Sequence, residues 1–161
     1  MTLQAVTTAT EETRALAAAV AGLARPGDVI LLTGDLGAGK TAFVQGFAAG
    51  FGVKDQVTSP TFTLARSYEG RLTLNHLDVY QLDHLQEAVD LGLAELVDDG
   101  GVTIIEWGEV VAPALPADYL MIRLLHQRDP SVRRLELEAV GPHWTVRTDA
   151  LHAVLDQWLV A

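Results

Sequence analysis

The sequence has no cysteine, only two lysines and no long uninterrupted apolar run. Without cysteine, a disulfide framework and a thiolate metal site are both excluded. The apolar runs are broken by Gly, Arg or Asp well before the roughly 18 residues that a transmembrane helix needs, so we expect no membrane span. The first residues, MTLQAVTTATEE, lack the basic and apolar segments of a secretory leader. We therefore expect a cytoplasmic protein.

The charge balance is strongly acidic, with a formal net charge of −10. Phosphate backbones are bound through Lys and Arg, so the chain is a poor candidate for binding nucleic acid by itself. The acidity suits either solubility or an interface with a more basic partner. The 161 residues are 49% apolar and 20% charged, which is typical of a globular chain, and we expect one domain over residues 1–161.

The spacing of apolar residues predicts an α/β fold in which a mixed, partly parallel sheet is flanked by helices. Continuous apolar runs at 28–34 and 102–106 indicate buried parallel strands, and the alternation at 61–80 predicts a β-hairpin. The first helix is expected to begin with a capping box formed by Thr8 and Glu11. The remaining predicted elements are helices at 8–24, 39–50, about 83–99 and about 148–160, and an antiparallel strand pair at 119–125 and 134–140.

The stretch GDLGAGKT, residues 34–41, matches the phosphate-binding pattern G-x-x-x-x-G-K-[ST] between a predicted strand and a predicted helix. Its glycines permit a positive φ and let backbone N–H groups turn onto phosphate oxygens. The following helix adds the positive end of its dipole. Lys40 would place a charge between the β- and γ-phosphates, and the Thr41 hydroxyl would ligate Mg²⁺.

Two acids follow predicted strands. Glu106 ends the strand VTIIE, where an unpaired buried carboxylate would be costly, and Asp78 follows the second strand of the hairpin. In P-loop proteins an acid at the end of a neighbouring strand reaches Mg²⁺ directly or through water. We assign the metal to Glu106 and the attacking water to Asp78, with the reverse assignment as the alternative. His76 is interpreted as a hydrogen-bonded core histidine.

The hydroxyl-rich stretch VTSPTF, residues 57–62, follows the P-loop helix, where nucleotide switches usually lie. Pro60 favours an extended backbone before it and would present Thr61 to the γ-phosphate side. A simple turn leading into the hairpin is an equal alternative. Trp107 directly follows Glu106, and strand alternation turns its indole away from that carboxylate, toward residues 57–62.

Together, GDLGAGKT, VTSPTFTL, HLDVYQL and IIEWGE resemble, in order and spacing, the TsaE family of P-loop ATPases over about residues 8–141. The resemblance implies a P-loop NTPase-like fold, magnesium ligands at Thr41 and Glu106, and a catalytic aspartate at Asp78. It also implies nucleotide contacts near the start of the first helix and through an arginine before the last strand. The implied nucleotide-binding residues are Asp35, Leu36, Gly37, Ala38, Gly39, Lys40, Thr41, Thr10, Glu11 and Arg133. The chain departs from the family at Gln81, where an arginine is usual.

By this resemblance, the chain is expected to bind ATP or ADP with Mg²⁺, to hydrolyse ATP and to serve the formation of threonylcarbamoyladenosine in tRNA. The implied partner is a TsaB–TsaD-type complex, and tRNA would be reached only through it. A P-loop kinase of a small metabolite is the main alternative, since HQRDPSVRR supplies arginines suited to a lid. A scaffold that binds nucleotide without hydrolysis is another. A GTPase is disfavoured because no lysine follows Asn75, the only asparagine, to form an N-K-x-D element.

Overall fold

The computed structural model describes residues 2–35, 37–58, 65–78, 100–107 and 112–160. Within these ranges the strands form one seven-stranded mixed sheet, and the predicted α/β fold class is confirmed. The elements are β1 (Thr2–Thr7), α1 (Thr10–Ala21), β2 (Val29–Thr33), α2 (Lys40–Gly50), β3 (Ala65–Glu69), β4 (Thr73–Asp78), β5 (Val102–Glu106), β6 (Tyr119–His126), β7 (Arg133–Val140), α3 (Pro142–Thr145) and α4 (Thr148–Leu155). Among them, no helix is long and apolar enough to cross a membrane.

The strand order β1-β7-β6-β2-β5-β4-β3 places four parallel strands between antiparallel pairs. Strand β2 is parallel to both β5 and β6, and β4 is parallel to β5. The sequences of β2 (VILLT) and β5 (VTIIE) are mostly apolar and lack an apolar/polar alternation, which suits central strands covered on both faces. Because parallel strands point the same way, the loop after β2 and the final residues of β4 and β5 meet at one edge of the sheet.

Alternation along the strands divides the core into two unequal clusters. The larger cluster lies between the sheet and helices α1 and α2, and it includes Ile104, Leu74 and Phe43. The smaller cluster lies on the opposite face and consists of Val29, Leu31, Leu77, Ile105 and Met121. Successive residues of β5 therefore face opposite clusters, and Glu106, two residues after Ile104, faces the side that carries α2.

Helices α1 and α2 are in close contact because glycines line their crossing. A Cβ at Gly46 would lie 2.2 Å from the Arg14 carbonyl oxygen, and one at Gly50 would lie 2.7 Å from the Ala18 Cα. Any larger residue would push the two helices apart. This contact fixes α2, whose first turn contains Lys40 and Thr41 of the GDLGAGKT stretch.

The predicted hairpin is confirmed in its described part, since β3 and β4 pair antiparallel from Ala65 opposite Leu77 to Glu69 opposite Thr73. Gly70 lies at the turn, where a Cβ would meet the Phe51 carbonyl oxygen at 2.4 Å. The helix predicted at about 83–99 lies outside the described residues.

The start of the chain differs from the prediction. Residues 2–7 form β1, which pairs antiparallel with β7 at the edge of the sheet, and helix α1 begins only at Thr10. The predicted capping box is wrong, because Ala9 is the N-cap residue and makes no side-chain cap. Thr8 instead donates its hydroxyl to the Glu12 carboxylate at 2.6 Å, one residue further along than the box requires.

The tail helix is shorter than predicted. Helix α4 ends at Leu155, a 3₁₀ turn follows at Asp156–Trp158, and the chain then becomes extended. Leu159 forms an isolated bridge with Ala5, and the Val160 amide donates to the Gln4 carbonyl at 2.9 Å. The last described residues thus contact the outer edge of β1.

A buried ion pair ties the tail to the start of β2. Arg147 donates from Nη1 and Nη2 to the two carboxylate oxygens of Asp28, each at 2.6 Å, and both side chains are about 3% exposed. The same guanidinium donates to the carbonyls of Leu23 and His143 and stacks 3.9 Å over the ring of Trp144. This cluster lies at the opposite end of β2 from the P-loop.

Candidate functional site

The loop after β2 has the backbone of a phosphate cradle. Gly34, Gly37 and Gly39 have φ values of 150°, 78° and 108°, in the region that residues with a Cβ rarely adopt. At Gly34 a Cβ would also collide with the Leu124 carbonyl oxygen at 2.6 Å, so only glycine lets the loop lie against β6. At Gly37 a Cβ would meet nothing within 4 Å, which means that this part of the loop borders open space.

Helix α2 begins directly on this loop. Its N-cap residue is Gly39, no side chain caps it, and its first turn contains no acid. The first amide groups of a helix have no partner within the helix and carry a partial positive charge. Lys40 and Thr41 occupy this first turn. The helix start is therefore suited to an anion.

Lys40 folds back over the loop. Its Nζ donates to the carbonyls of Gly34 and Asp35 at 2.5 and 3.0 Å, and the residue is only 6% exposed. The ammonium also lies 4.1 Å from the ring centroid of Trp107, within the range of a cation–π contact. The P-loop lysine is thus held by the two carbonyls and the indole.

Trp107 is the one described non-glycine residue with a positive φ, at 63°. Such a backbone costs on the order of 1–3 kcal/mol and is typical of functional sites. Its indole packs against the smaller core cluster, on the face opposite Glu106, as alternation predicts. The neighbour that the structure assigns to it is Lys40, whereas most of the predicted neighbour, residues 57–62, lies outside the described residues.

A cleft of about 160 Å³ opens beside the loop. Arg133 closes one wall, donating from Nε to the Ala38 carbonyl at 3.0 Å and from Nη2 to the Gly37 carbonyl at 3.3 Å. Arg134 points elsewhere and donates to the Gln4 side chain. The full lining consists of Ala9, Thr10, Thr13, Gly37, Gly39, Ala42, Pro130, Ser131 and Arg133. The start of α1, the P-loop and the β6–β7 loop therefore share one cleft.

The β6–β7 loop at this cleft is ordered by a local hydrogen-bond turn. The backbone N–H of Ser131 and its hydroxyl both donate to Asp129 Oδ1, at 2.9 and 2.8 Å. These two bonds, the backbone bond first, hold the pKa of Asp129 below its usual range. The carboxylate thus stays ionised at neutral pH and holds Ser131 at the cleft wall.

Glu106 ends β5 in register with Leu32 of β2 and Asp78 of β4. It is 3% exposed, and its Oε2 lies 2.6 Å from Nε2 of His76, which is fully buried. A buried carboxylate is costly without a partner, and His76 is that partner here. The two acids predicted for the metal and the water are therefore neighbours on adjacent parallel strands.

The sequence model of the family described as threonylcarbamoyl adenosine biosynthesis protein TsaE matches residues 7–135. The chain belongs to the TsaE family. This confirms the resemblance stated above, and it accounts for the P-loop, the hairpin and β5 as parts of one family pattern.

Curated relatives support the same family over most of the chain, and two of them are named tRNA threonylcarbamoyladenosine biosynthesis protein TsaE. The relative from Bacillus subtilis (strain 168) is 42% identical over 142 residues, which are 88% of each chain. The relative from Treponema pallidum (strain Nichols) is 45% identical over 122 residues, which are 76% of this chain and 90% of the relative. Homologues of the chain are thus named for tRNA threonylcarbamoyladenosine biosynthesis.

A crystal structure of Bacillus subtilis YdiB is similar to the whole described fold. Its TM-score is 0.78 at 37% sequence identity, and the superposition covers 98% of this chain and 95% of that chain. The P-loop NTPase-like fold expected of a TsaE protein is therefore confirmed.

The structure brings most of the residues expected from the TsaE resemblance to one edge of the sheet. Thr10 and Arg133 line the cleft together with Gly37 and Gly39, whereas Glu11 is exposed and does not line it. The remaining described residues of this set are Asp35, Ala38, Lys40 and Thr41 in the loop and first turn, and Asp78 and Glu106 on the neighbouring strands. Leu36 and Thr61 lie outside the described residues.

Three features of this TsaE site were not found from the sequence. The bond from His76 to Glu106 depends on the register of β4 and β5, which local patterns do not encode. The contact between Lys40 and Trp107 depends on the positive φ of Trp107. Ser131 reaches the cleft through the β6–β7 turn, and the only signal for it was the run DPS, which is typical of a turn.

The residues present fit a nucleotide phosphate. They also fit a magnesium ion that takes only a few of its ligands from the protein. The uncapped start of α2 and the open space at Gly37 suit a polyphosphate. Among the described residues, no group of three or more His, Asp or Glu side chains is arranged to hold a metal. Mg²⁺ is commonly held by one or two protein oxygens together with phosphates and water, for which Thr41 and Glu106 suffice.

Proposed function

We propose that the chain is a magnesium-dependent ATPase that serves threonylcarbamoyladenosine formation in tRNA by acting on a TsaB–TsaD-type complex. Nucleotide binding is supported by the P-loop itself, which has three glycines with positive φ, an uncapped helix start and a lysine beside a cleft. The names of the relatives support the pathway. ATP and ADP are the proposed ligands.

The polyphosphate would lie on the amides of the loop and of the first turn of α2. Lys40 would then exchange its bonds to the Gly34 and Asp35 carbonyls for bonds to phosphate oxygens. The ribose and base would occupy the cleft between Thr10 and Arg133. Arg133 would act through the loop, because its guanidinium already holds two loop carbonyls.

Thr41 and Glu106 are the residues proposed to hold Mg²⁺. When bound, the ion would neutralise charge that develops on the phosphate oxygens during transfer. Asp78, in register with Glu106 on the adjacent strand, would orient the attacking water and accept its proton. Thr61, beyond the described residues, stays a prediction as a γ-phosphate contact.

The kinase alternative is less well supported. A kinase would use the arginines of the β6–β7 region as a lid over an acceptor. Two of these arginines are engaged within the protein, Arg133 with the P-loop and Arg134 with Gln4. The net charge of −10 instead suits an interface with a basic, RNA-handling partner, with tRNA held by that partner.

Phosphate release from ATP tests the proposal. The purified protein is assayed alone and with a TsaB–TsaD complex and tRNA, and we expect inorganic phosphate in at least one of these conditions. Lys40→Ala should abolish it, while Lys54→Ala, at the exposed second lysine, should not. A phosphorylated metabolite as the product, or no phosphate release under any condition, would contradict the ATPase assignment.

A further inference from the structure

Among the residues that the structure describes, His76 is the most completely buried ionisable side chain near the proposed metal site. Its relative exposure is 0%, and the side chain of Glu106 is 4% exposed. The two groups meet at 2.6 Å between Nε2 and Oε2. Both lie on the face of the sheet that carries α2, since His76 is two residues after Leu74 and Glu106 is two residues after Ile104, and both of those residues belong to the larger core cluster.

The hydrogen bond to Glu106 restricts the tautomer of His76. When Glu106 is a carboxylate, its oxygens only accept hydrogen bonds, so Nε2 is the donor. The other ring nitrogen, Nδ1, is buried and has no hydrogen-bond partner among the described residues. The imidazole therefore has one strong polar contact, and that contact is to Glu106.

The bond to His76 engages only one oxygen of the Glu106 carboxylate. Oε2 is held, and Oε1 keeps its full capacity to accept a hydrogen bond or a metal. Carboxylates that ligate metals are usually fixed in this way by a neighbouring donor, and loss of the donor typically lowers metal affinity by about 10–100-fold. A histidine that served packing alone would not need to aim its one polar contact at this acid.

We infer that His76 is a positioning residue that fixes Glu106 so that its second oxygen faces the magnesium ion of the bound nucleotide. This inference rests on the proposed function, because it requires the metal at Glu106. The inference gives two side chains of β4 different roles: His76 acts through Glu106, whereas Asp78 acts on water.

Variants of His76 test the inference through the Mg²⁺ concentration required for tight binding of a non-hydrolysable ATP analogue, measured by calorimetry. His76→Phe keeps the ring volume but removes the donor, and we expect it to raise the required Mg²⁺ by about tenfold or more. His76→Gln places an amide N–H near the position of Nε2 and should stay within about threefold of the wild type. Binding of the analogue without Mg²⁺ should be the same in all three proteins.

The Glu106→Gln background separates a positioning role from a structural one. If His76 acts through Glu106, His76→Phe should have almost no further effect on Mg²⁺ dependence in that background. An equal effect in both backgrounds, or a folded His76→Phe protein with wild-type Mg²⁺ dependence, would overturn the inference alone. A wild-type protein whose nucleotide binding ignores Mg²⁺ would overturn the proposed metal site and the inference with it.

A measurement on the wild type covers the case in which His76→Phe does not fold. In protein with ¹⁵N-labelled histidine, the ring signal missing from His76→Gln identifies His76 among the five histidines. We expect Nε2 of His76 to carry a hydrogen, and its nitrogen shift to change when the analogue and Mg²⁺ are added together. An Nε2 without a hydrogen, or no change on adding both, would refute the positioning role.

Discussion

The ion pair of Asp28 and Arg147 should dominate the stability of the fold without affecting the nucleotide site. The perturbation is Arg147→Met, which keeps much of the packing volume and removes the charge. Removing one partner of a buried pair typically costs about 3–5 kcal/mol, because the other charge stays buried. Asp28 keeps a 2.7 Å bond from the Arg25 amide, which favours the lower end, about 3 kcal/mol.

The other contacts of the guanidinium add to this cost. Arg147 also donates to the carbonyls of Leu23 and His143, and each lost bond contributes about 1 kcal/mol. The expected total of about 5 kcal/mol is a large fraction of the 5–15 kcal/mol that stabilises a typical domain. The matched control is Arg123→Met, which breaks a pair with Glu138 that is 39% and 38% exposed and should cost about 1 kcal/mol or less.

The assay is urea unfolding, followed by binding of an ATP analogue under native conditions. Asp28 precedes β2 and the P-loop follows it, so the ion pair and the loop are about 16 Å apart along a five-residue strand. Folded Arg147→Met protein should therefore bind nucleotide normally. In the double variant Asp28→Asn/Arg147→Met the loss should be clearly smaller than the sum of the single losses. A loss below 1 kcal/mol, or weakened nucleotide binding in folded protein, would refute this reasoning.

Three further predictions concern the site. Glu106→Gln should weaken Mg²⁺ dependence, whereas Asp78→Asn should lower turnover and spare binding; titrations with the reverse pattern would exchange the two roles. Arg133→Ala should lower ATP affinity about tenfold, measured by calorimetry, because it releases two carbonyls of the P-loop. An equal loss of ATP affinity in the neighbouring Arg134→Ala variant would contradict this. The fluorescence of Trp107 should change when ATP draws Lys40 away from its ring, and the other two tryptophans are replaced by Phe for this measurement. Unchanged emission at saturating ATP would show that the contact persists.

The centre of the fold was predictable because its information is local. Strands β2 and β5 are short and mostly apolar, and the P-loop carries its own pattern of glycines, lysine and threonine. A partner for Glu106 was also predictable, since an ionisable residue at the end of a buried strand needs one. The hairpin was predictable from alternation about a turn with Gly70.

The periphery was not predictable, because it depends on partners distant in sequence. Strand β1 is rich in Thr and Gln, and its identity as a strand comes from pairing with β7, more than 120 residues away. The tail bends after Leu155 because Leu159 joins β1 instead of continuing the helix. At the site, the partner of Glu106 came from the alignment of two strands whose register is set by the whole sheet.

The contact between the tail and β1 has a consequence for behaviour in concentrated solution. A strand at the border of a sheet presents unpaired amides and carbonyls, and these can template pairing with another chain. Here Leu159 and Val160 occupy part of that border at Ala5 and Gln4. A chain shortened after Leu155 would keep the P-loop but bare this border, and light scattering should then show self-association that rises with concentration. We therefore expect Leu159 and Val160 to limit edge-to-edge pairing through β1.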